Sequence, residues 1–532
     1  MLSLNGRSSV TREAGTVAND VIIVGGGHNG LVCAAYLAKA GLDVLVLERR
    51  TSVGGACATE ELFPGYRIST CSYVAYILQD KVVQDLELRK NGYRVHPLPL
   101  KRMFPYPDGR SLILWNDTER TAREIAEKFS RKDAAGYLSI QDFWRRAACL
   151  FDRYFLREPP TIDELRDSVR NTDDEALLEQ LLHGTLTGLI DELFDSDEVK
   201  AAAISHVMAG KGMDEQGLLF AYAATKPNAL VDNNNQGIVV GGMGAISDAI
   251  SRSAQSAGCT VRCDAEVKRI LIEDGRAYGV ELMGGEVIRS HVVVSNADPK
   301  RTFLGLVGRE NIAPTVATSI EMLETTHATL KFHAAVSELP DFSRHLGSNF
   351  DPKLIATIGI GPTTAYYRKS IQDALDGEIT TCPVIDVQIP TVYDHTVAPD
   401  GKHIVSMWVR FLPVRPKVAS WDSLRGPVGE QLIDLLTSYA PNFRRSLIHW
   451  LVYTPADIEQ RLYLTDGNFR HTDHIPGQLL AHRLFSRGGH RTPIPRLYMC
   501  GAGTHPGGDV SGAPGHNAAH VILTEWVREG EC

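Results

Sequence analysis

Three glycines near the start of the sequence have the spacing of a loop that binds a dinucleotide pyrophosphate. Gly25, Gly27 and Gly30 form a Gly-x-Gly-x-x-Gly pattern after the apolar run Asp20–Val24. In such a loop the first glycine permits a tight turn and the second lets the backbone approach the pyrophosphate. The third glycine lets the following helix pack closely on the strand. The pyrophosphate lies at the positive amino end of that helix, so Asn29 in its first turn is also expected to contact the cofactor.

An acidic residue at the end of the next predicted strand completes this motif. Glu48 closes the strand Asp43–Leu47 and follows Gly30 by 18 residues. At this place a carboxylate can accept hydrogen bonds from both hydroxyls of an adenosine ribose. Its negative charge would repel a 2′-phosphate, which disfavours NADP. A glycine-rich turn in an ordinary β-α-β unit is the alternative for a lone pattern, but here strand, helix, second strand and acid are all in register.

The segment after Glu48 bears on the choice between FAD and NAD. Gly54-Gly55-Ala56, preceded by Arg49, would let the backbone pass close to a second part of a long cofactor. No second Gly-x-Gly-x-x-Gly lies between a strand and a helix, so we expect no separate NAD(P)H domain. Cys57 looks like the start of a redox disulfide, but the required partner position is occupied by Leu62. We therefore expect Cys57 to be a small buried residue.

The elements that must hold these residues come from three separated blocks of the chain. Residues 20–60 have the pattern strand, glycine loop, helix, strand. The middle block contains a predicted helix, Met243–Gly258, and a predicted hairpin that turns at Asp274-Gly275 and leads to a strand, Val292–Ser295. The last block contains a strand, Leu497–Cys500, and a helix, Gly512–Val527. The stretches between the blocks carry no nucleotide motif, which predicts a discontinuous cofactor domain with a second domain inserted in two pieces.

The carboxyl-terminal block adds a family resemblance. Its glycine loop, residues 501–508, precedes Gly512-Ala513-Pro514-Gly515, and shorter matches lie at residues 241–245, 295–299 and 467–471. With the amino-terminal motif, the chain resembles the phytoene (carotenoid) desaturase-like flavoproteins over residues 20 to 525. Within that family it resembles a branch with an animal mitochondrial member.

The resemblance implies an α/β fold with α+β insertions. A Rossmann-type FAD-binding domain is expected together with a sheet-plus-helix substrate domain, as in the amine oxidase and carotenoid desaturase flavoproteins. We assign residues 18–75, 236–305 and 488–532 to the FAD-binding domain. Residues 76–235 and 306–487 are assigned to the substrate-binding domain.

The resemblance also implies cofactor contacts outside the first motif. A backbone group near the start of the predicted hairpin would meet the adenine, and the glycine loop would run under the ribityl chain and the flavin. The amino end of the last helix would favour negative charge on the flavin ring. Asp509 stands where a small residue is expected, and we expect its carboxylate to turn toward the ribityl hydroxyls. These contacts are expected at Val267, Asn296, Gly501, Gly503, Asp509, Gly512 and Ala513.

His471 is the candidate catalytic residue, because it matches a family position near the flavin ring. Its role there would be to orient the substrate or to act as a general base, and the alternative is a hydrogen-bonded structural histidine. A metal site is not expected, because the spacings between His471, His474, His482 and His490 match no usual ligand pattern. No cysteine lies between Cys382 and Cys500, so FAD is expected to be held without a covalent bond.

Composition limits the partners and the compartment. The 55 basic and 64 acidic residues give a net charge of −9, which argues against nucleic acid as a partner. An odd number of cysteines, nine, without a Cys-x-x-Cys pair indicates a reducing compartment. We expect the cytoplasm of a bacterium or the mitochondrial matrix of a eukaryote. The apolar stretch Val21–Leu42 is broken by the glycine loop, so a membrane span there is not expected.

The sequence therefore predicts an FAD-dependent oxidoreductase, a dehydrogenase or desaturase. It would transfer a hydride from a C–H bond of an apolar or amphipathic substrate to flavin N5, with oxygen or a quinone as electron acceptor. The alternatives are an amine-oxidase-like flavoenzyme that oxidises a C–N bond and a flavin-binding interaction protein with little turnover. The aromatic stretch Phe143–Leu156, with its arginines, is either ordinary domain core or the wall of an apolar substrate tunnel at a membrane surface.

Overall fold

The computed structural model describes residues 19–205, 212–218 and 237–530. Its strands are β1 (Asn19–Val24), β2 (Val44–Leu47), β3 (Thr59–Phe63), β4 (Tyr66–Ser69), β5 (Val95–Pro97), β6 (Leu100–Pro105), β7 (Ser111–Trp115), β8 (Gly237–Val239), β9 (Thr260–Arg262), β10 (Val267–Glu273), β11 (Arg276–Leu282), β12 (Val287–Ser295), β13 (His327–Val336), β14 (Thr357–Ile360), β15 (Val384–Gln388), β16 (His403–Pro413), β17 (Leu447–Tyr453) and β18 (Leu497–Met499).

The α-helices in the described ranges are α1 (His28–Lys39), α2 (Asp80–Asp85), α3 (Thr118–Lys128), α4 (Arg131–Phe155), α5 (Ile162–Val169), α6 (Asp174–His183), α7 (Leu186–Leu193), α8 (Asp197–Ile204), α9 (Gly244–Ser256), α10 (Pro314–Glu321), α11 (Ser343–Leu346), α12 (Thr364–Leu375), α13 (Trp421–Tyr439), α14 (Phe443–Ser446), α15 (Pro455–Leu462) and α16 (Ala513–Gly530). A π-helical segment, Arg301–Val307, follows β12. Among the described residues, no helix combines the length and the apolar composition needed to cross a bilayer.

The first sheet joins the start, the middle and the end of the chain. Five parallel strands lie in the order β18–β12–β1–β2–β9, and β10 and β11 extend the sheet as an antiparallel meander beside β12. The strands β1 and β2 are almost wholly apolar because both faces of the sheet are covered. Helix α1 packs between the sheet and the helices α9 and α16. The register aligns Val24 with Ser295 and Leu47, so the loops that follow these three residues meet at one edge.

The second sheet has the order β17–β13–β16–β15–β14–β6–β7. Alternate residues of its central strands face opposite sides. One side is apolar, with Leu330, Ile385 and Met407 packed in a core that includes helix α13. The opposite side is polar and carries Lys331, His333, Thr357, Gly359, Asp386, Gln388, Ser406, Trp408 and Arg410.

The secondary structure expected from the three motif blocks is confirmed. Helix α9 lies within the predicted Met243–Gly258, and the hairpin β10–β11 turns at Asp274-Gly275. The strand predicted at Val292–Ser295 is the end of the longer β12. Every strand of the first sheet lies in the ranges assigned to the FAD-binding domain, and every strand of the second sheet lies in the ranges assigned to the substrate-binding domain. The domain boundaries themselves stay a prediction.

The aromatic stretch of helix α4 is domain core. Trp144, Phe151 and Phe155 are buried in an apolar cluster that includes residues of helices α5 to α8. Arg145 and Arg146 form ion pairs on the outside of the same helix. None of the residues 143–156 is among those that line the cavity described below. The alternative interpretation, a substrate-tunnel wall, finds no support among the described residues.

Candidate active site

The first glycine loop begins where β1 ends. Gly25, at φ +99°, donates its N–H to Leu47 O at 2.8 Å. Helix α1 begins three residues later, directly against this turn, because Gly30 has no side chain. A Cβ added at Gly30 would lie 2.4 Å from Gly25 O. The first N–H groups of the helix therefore face the cavity end of the sheet. Asn29 lies there too, and its buried Oδ1 has no hydrogen-bond partner.

Glu48 closes β2 and holds the glycine loop. Its Oε2 accepts the N–H of Gly26 at 2.8 Å, and its Oε1 accepts the N–H of Arg50 at 2.9 Å. Each carboxylate oxygen can accept a further hydrogen bond, so one acceptor site per oxygen remains for a ligand. The sequence predicted that Glu48 binds the ribose. It did not predict these hydrogen bonds to the backbone, which fix the shape of the loop.

A second glycine segment lies beside the first. Gly54 donates its N–H to Gly26 O at 2.8 Å and forms a parallel bridge with Gly27. Gly55 and Ala56 follow it along the same cavity. Cys57 is buried, and its burial raises the pKa of the thiol to about 11. All described cysteines are free.

Another part of the cavity lining is an aromatic ring that lies against two arginines. The guanidinium of Arg49 lies 3.7 Å from the ring centroid of Tyr463, and that of Arg301 lies 4.3 Å from it. The hydroxyl of Tyr463 donates to Glu266 Oε1 at 3.0 Å. Val267, the predicted adenine neighbour, lines the cavity at this place. Sequence reasoning found Arg49 and Val267 but not the tyrosine.

The carboxyl-terminal glycine loop meets the first loop through Asn296. Asn296 donates its N–H to Val24 O at 2.9 Å, and Cys500 donates its N–H to Ser295 O at 3.0 Å. A Cβ added at Gly501 would lie 2.7 Å from Asn296 O. The three glycine segments predicted from separate parts of the sequence are therefore neighbours.

A buried arginine that sequence reasoning missed holds the carboxyl-terminal loop. Arg483 is 0% exposed. Its guanidinium donates to Ala502 O at 2.7 Å, Thr504 O at 3.2 Å and Arg470 O at 2.9 Å. This fork ties the glycine loop to the segment that contains His471. No local sequence motif could have identified this arginine, because its partners are backbone carbonyls.

His471 lies between the glycine loop and the cavity. Its Cε1 would be 3.0 Å from a Cβ added at Gly501, and its buried Nδ1 has no hydrogen-bond partner. Burial, with the nearby charge of Arg483, lowers the pKa of His471 to about 3. The ring is therefore neutral at physiological pH and is too weak a base to compete well for a proton. It can still orient a ligand by hydrogen bonding, and its catalytic role stays a prediction.

Asp509 has a cationic neighbour. Its Oδ1 lies 3.7 Å from Arg470 Nε, and both residues line the cavity.

The cavity is also lined by the predicted residues Gly25, Gly27, Asn29, Glu48, Arg49, Gly54, Gly55, Ala56, Val267, Asn296 and His471. The other predicted residues do not line it; these are Gly30, Gly501, Gly503, Gly512 and Ala513.

One cavity of about 550 Å³ joins these loops to the polar side of the second sheet. We call the part against the second sheet the distal chamber. Its lining residues from the described ranges combine aromatic and charged side chains: Tyr73, Tyr76, Lys101, Arg102, Asp386, Gln388, Trp408, Arg410 and Phe469. The described residues bring no three His, Cys, Asp or Glu side chains together as metal ligands.

An ion cluster is buried in the distal chamber. Arg102 Nη1 lies 2.6 Å from Asp386 Oδ1, and Arg410 Nη2 lies 3.6 Å from the same oxygen. The hydroxyl of Tyr73 donates to Asp386 Oδ2 at 3.3 Å. Gly359 faces Asp386 in the strand ladder, and a Cβ added there would lie 2.7 Å from Arg102 Cδ. The missing side chain lets Arg102 cross β14 to reach the carboxylate.

Sequence reasoning missed the distal chamber, although a signal was present. Asp386 interrupts the apolar strand Val384–Gln388, and Lys331 and Arg410 interrupt two other apolar strands in the same way. A charged residue inside a buried strand is costly unless it is paired. Each of these residues therefore indicates a paired polar site at its own strand.

Known relatives align with nearly the whole chain, and a family model matches its amino-terminal part. A model of an NAD(P)-binding Rossmann-like domain matches residues 23–86. Pyridine nucleotide-disulfide oxidoreductase domain-containing protein 2 of Rattus norvegicus is 31% identical, and the alignment covers 95% of this chain and 93% of the relative. A limonene dehydrogenase component of Castellaniella defragrans is 27% identical, with 95% and 94% covered. A neurosporene-forming phytoene desaturase of Cereibacter sphaeroides is 24% identical, with 94% and 93% covered.

A solved structure has the same fold. A putrescine oxidase variant aligns with a TM-score of 0.58 at 16% identity, over 95% of this chain and 99% of that chain. The expected α/β fold with a Rossmann-type nucleotide-binding domain is thereby confirmed.

Proposed function

Because the chain belongs to the family of pyridine nucleotide-disulfide oxidoreductase domain-containing protein 2, within the FAD-type oxidoreductases, we propose that it is an FAD-dependent dehydrogenase. Its reaction would oxidise a C–H bond of a small-molecule substrate. The relatives named as a limonene dehydrogenase and a phytoene desaturase support this choice of reaction. A disulfide reaction has no support, because Cys57 is buried and faces no second cysteine at position 62.

The observation that carries the proposal is the continuous cavity. One end is formed by the three glycine segments with Asn29 and Glu48, and the other end is the distal chamber. The first end fits FAD. Asn29 Oδ1 is a buried acceptor without a partner, and Glu48 keeps an acceptor site on each oxygen. The nucleotide and the substrate would therefore share one cavity.

FAD, when bound, would supply the hydride acceptor, and we propose oxygen or a quinone as the final electron acceptor. The residues of this chain would bind, orient and enclose the reactants. Glu48 would hold the ribose, and Arg483 would keep the carboxyl-terminal loop in place. The neutral ring of His471 would orient the substrate through its unpartnered Nδ1.

Oxidation of an amine is the less favoured chemistry. The aromatic side chains Tyr73 and Trp408 resemble part of a cage for a cation. However, the described chamber lining brings Lys101, Arg102 and Arg410 together against Asp386. An ammonium substrate would be repelled by this excess of positive charge.

The test is to purify the protein and to follow the flavin. We expect a yellow protein that releases FAD on acid precipitation, since Cys500, directly after β18, is buried. Under anaerobic conditions a substrate should bleach the flavin, and oxygen or a quinone should restore its colour. NADH and NADPH should bleach it slowly, because only one nucleotide motif is present.

Two outcomes would contradict the proposal. A protein that binds no FAD even in excess would remove the cofactor assignment. A protein that binds FAD but resists chemical reductants would favour a flavin-binding interaction protein over an enzyme.

A further inference from the structure

We propose that the substrate carries a carboxylate, which Arg102 and Arg410 bind in the distal chamber, on an aromatic or otherwise unsaturated body. This inference rests on the proposed function, because it assigns a substrate class to the same cavity. It goes beyond the apolar substrate expected from the sequence.

The first argument is the charge balance of the chamber. Lys101, Arg102 and Arg410 line it together with Asp386, which leaves a net charge of +2 among the described lining residues when all four are ionised. Burial lowers the pKa of Lys101 to about 8, so this side chain remains mostly protonated at neutral pH. Buried charge without a counter-charge is costly. A bound anion would supply the missing counter-charge.

A further cation lies beside the chamber, on the same side of the second sheet but outside the cavity lining. Lys331 faces Trp408 in the ladder between β13 and β16, and Trp408 faces Asp386 in the next ladder. The side chain of Lys331 is 1% exposed, and its Nζ has no hydrogen-bond partner. Its nearest aromatic contact is Tyr73, with Nζ 5.1 Å from the ring centroid. Asp386 is therefore surrounded by more positive charge than it can neutralise.

The second argument is the hydrogen-bonding state of Arg410. Its Nη1 donates to Ser205 O at 2.8 Å, and its Nη2 lies 3.5 Å from Tyr367 Oη. Its Nε is itself buried and has no hydrogen-bond partner, while the residue as a whole lines the cavity. Arg410 Nη2 approaches Asp386 only to 3.6 Å, so this planar guanidinium at the cavity wall suits a further carboxylate.

The third argument is the aromatic wall beside these cations. The rings of Tyr73 and Trp408 lie 5.5 Å apart, and the ring of Phe469 lies 5.5 Å from Trp408 at a steep angle. Flat rings suit a planar apolar body next to the charged group. The chamber therefore fits an amphipathic acid better than a neutral hydrocarbon or an amine.

The test uses three probes with the same phenyl ring and a three-carbon chain that end in an anionic, a neutral or a cationic group: 3-phenylpropanoate, 3-phenylpropan-1-ol and 3-phenylpropylamine. Their binding to the FAD-loaded protein is measured by calorimetry and by perturbation of the flavin absorption spectrum. We expect the carboxylate to bind at least tenfold more tightly than the alcohol and the amine to bind most weakly. Equal binding of all three, or tighter binding of the amine, would overturn the proposal.

Variants locate the effect. Arg410→Gln should lose at least tenfold in affinity for the carboxylate and less than twofold for the alcohol. Asp386→Asn should bind the carboxylate severalfold more tightly, because a competing anion is removed. Arg262→Gln is the control for Arg410→Gln. It also removes one positive charge, but at a surface ion pair with Glu286, and should bind the carboxylate like wild type. If Arg410→Gln fails to fold, Asp386→Asn still tests the proposal, because unchanged or weaker binding of the carboxylate by that variant would contradict it.

The FAD content of each preparation separates this inference from the proposed function. If the protein holds no FAD but binds the carboxylate selectively, the proposed anion site stands and the proposed dehydrogenase function is wrong. If the protein holds FAD, its flavin is reduced by substrate, and the three probes bind equally, the proposed dehydrogenase function stands and the proposed anion site is wrong.

Discussion

Replacing Glu48 by glutamine tests the arrangement of the whole amino-terminal motif. Each carboxylate oxygen accepts one backbone N–H, from Gly26 at 2.8 Å and from Arg50 at 2.9 Å. In Glu48→Gln one oxygen becomes an NH₂ group, which faces an N–H donor in either orientation of the amide. The variant therefore loses one anchor of the glycine loop and the negative charge that would meet the ribose.

The expected loss follows from the number of acceptor sites. One site per oxygen remains for a ribose hydroxyl, and a hydrogen bond to a charged group contributes about 1.5–3 kcal/mol. Loss of one such bond lowers the affinity for FAD about tenfold to hundredfold, since about 1.4 kcal/mol corresponds to tenfold. Glu48→Ala removes both bonds and both loop anchors, so its affinity should fall further.

The measurement is a titration of FAD-free protein with FAD, followed by the quenching of flavin fluorescence. Glu281→Gln is the matched control. Glu281 is also mostly buried and accepts hydrogen bonds from Lys268 and Arg269, but it does not line the cavity. It should keep wild-type affinity. If Glu48→Ala binds FAD as tightly as wild type, the register assigned to the motif is wrong.

His471→Ala should keep a normal FAD content and slow the reduction of the flavin by substrate, measured by anaerobic stopped flow; an unchanged rate would leave only the structural interpretation of this residue. Gly30→Ala should lower FAD retention and stability, because its Cβ would meet Gly25 O at 2.4 Å. Its control, Gly426→Ala in helix α13, has open space and should gain about 0.5–1 kcal/mol. Burial lowers the pKa of His490 to about 4, below the ordinary value of about 6.5 of the unfolded chain. Between about pH 6.5 and pH 4 the unfolded chain therefore binds a proton that the native chain does not, and the free energy of unfolding falls as the pH falls, by up to about 1.4 kcal/mol per pH unit for this residue. Denaturation midpoints across this range should fall less steeply in His490→Gln, and equal slopes would contradict the assigned shift.

The glycine-loop end of the cavity could be predicted because its determinants are local. The turn at Gly25, the close packing at Gly30 and the acid at Glu48 lie within one β-α-β unit of the printed sequence. The spacing of these residues is set by the lengths of one strand and one helix. The same holds for the hairpin at Asp274-Gly275, where both turn residues have positive φ. These predictions therefore depended only on short-range backbone geometry.

The distal chamber could not be placed in this way. Asp386, Trp408 and Lys331 become neighbours through the register of three strands, and register depends on the packing of the whole sheet. Arg102 reaches them from a fourth strand across Gly359. The sequence marks each residue as unusual in its own strand, but it does not show that they meet.

The division of the first sheet along the chain has a consequence for biosynthesis. Strand β1 ends at Val24, whereas its neighbour β12 ends at Ser295 and the outer strand β18 begins at Leu497. At about 5–20 residues per second, the ribosome makes β18 roughly 25 to 95 seconds after β1. During that interval the sheet is incomplete, because β1 lacks its second neighbour until β12 is made and β12 then lacks β18, and these unpaired strand edges are exposed to aggregation. Chaperones that hold the growing chain should therefore matter more for this protein than for one whose nucleotide-binding sheet is continuous in sequence.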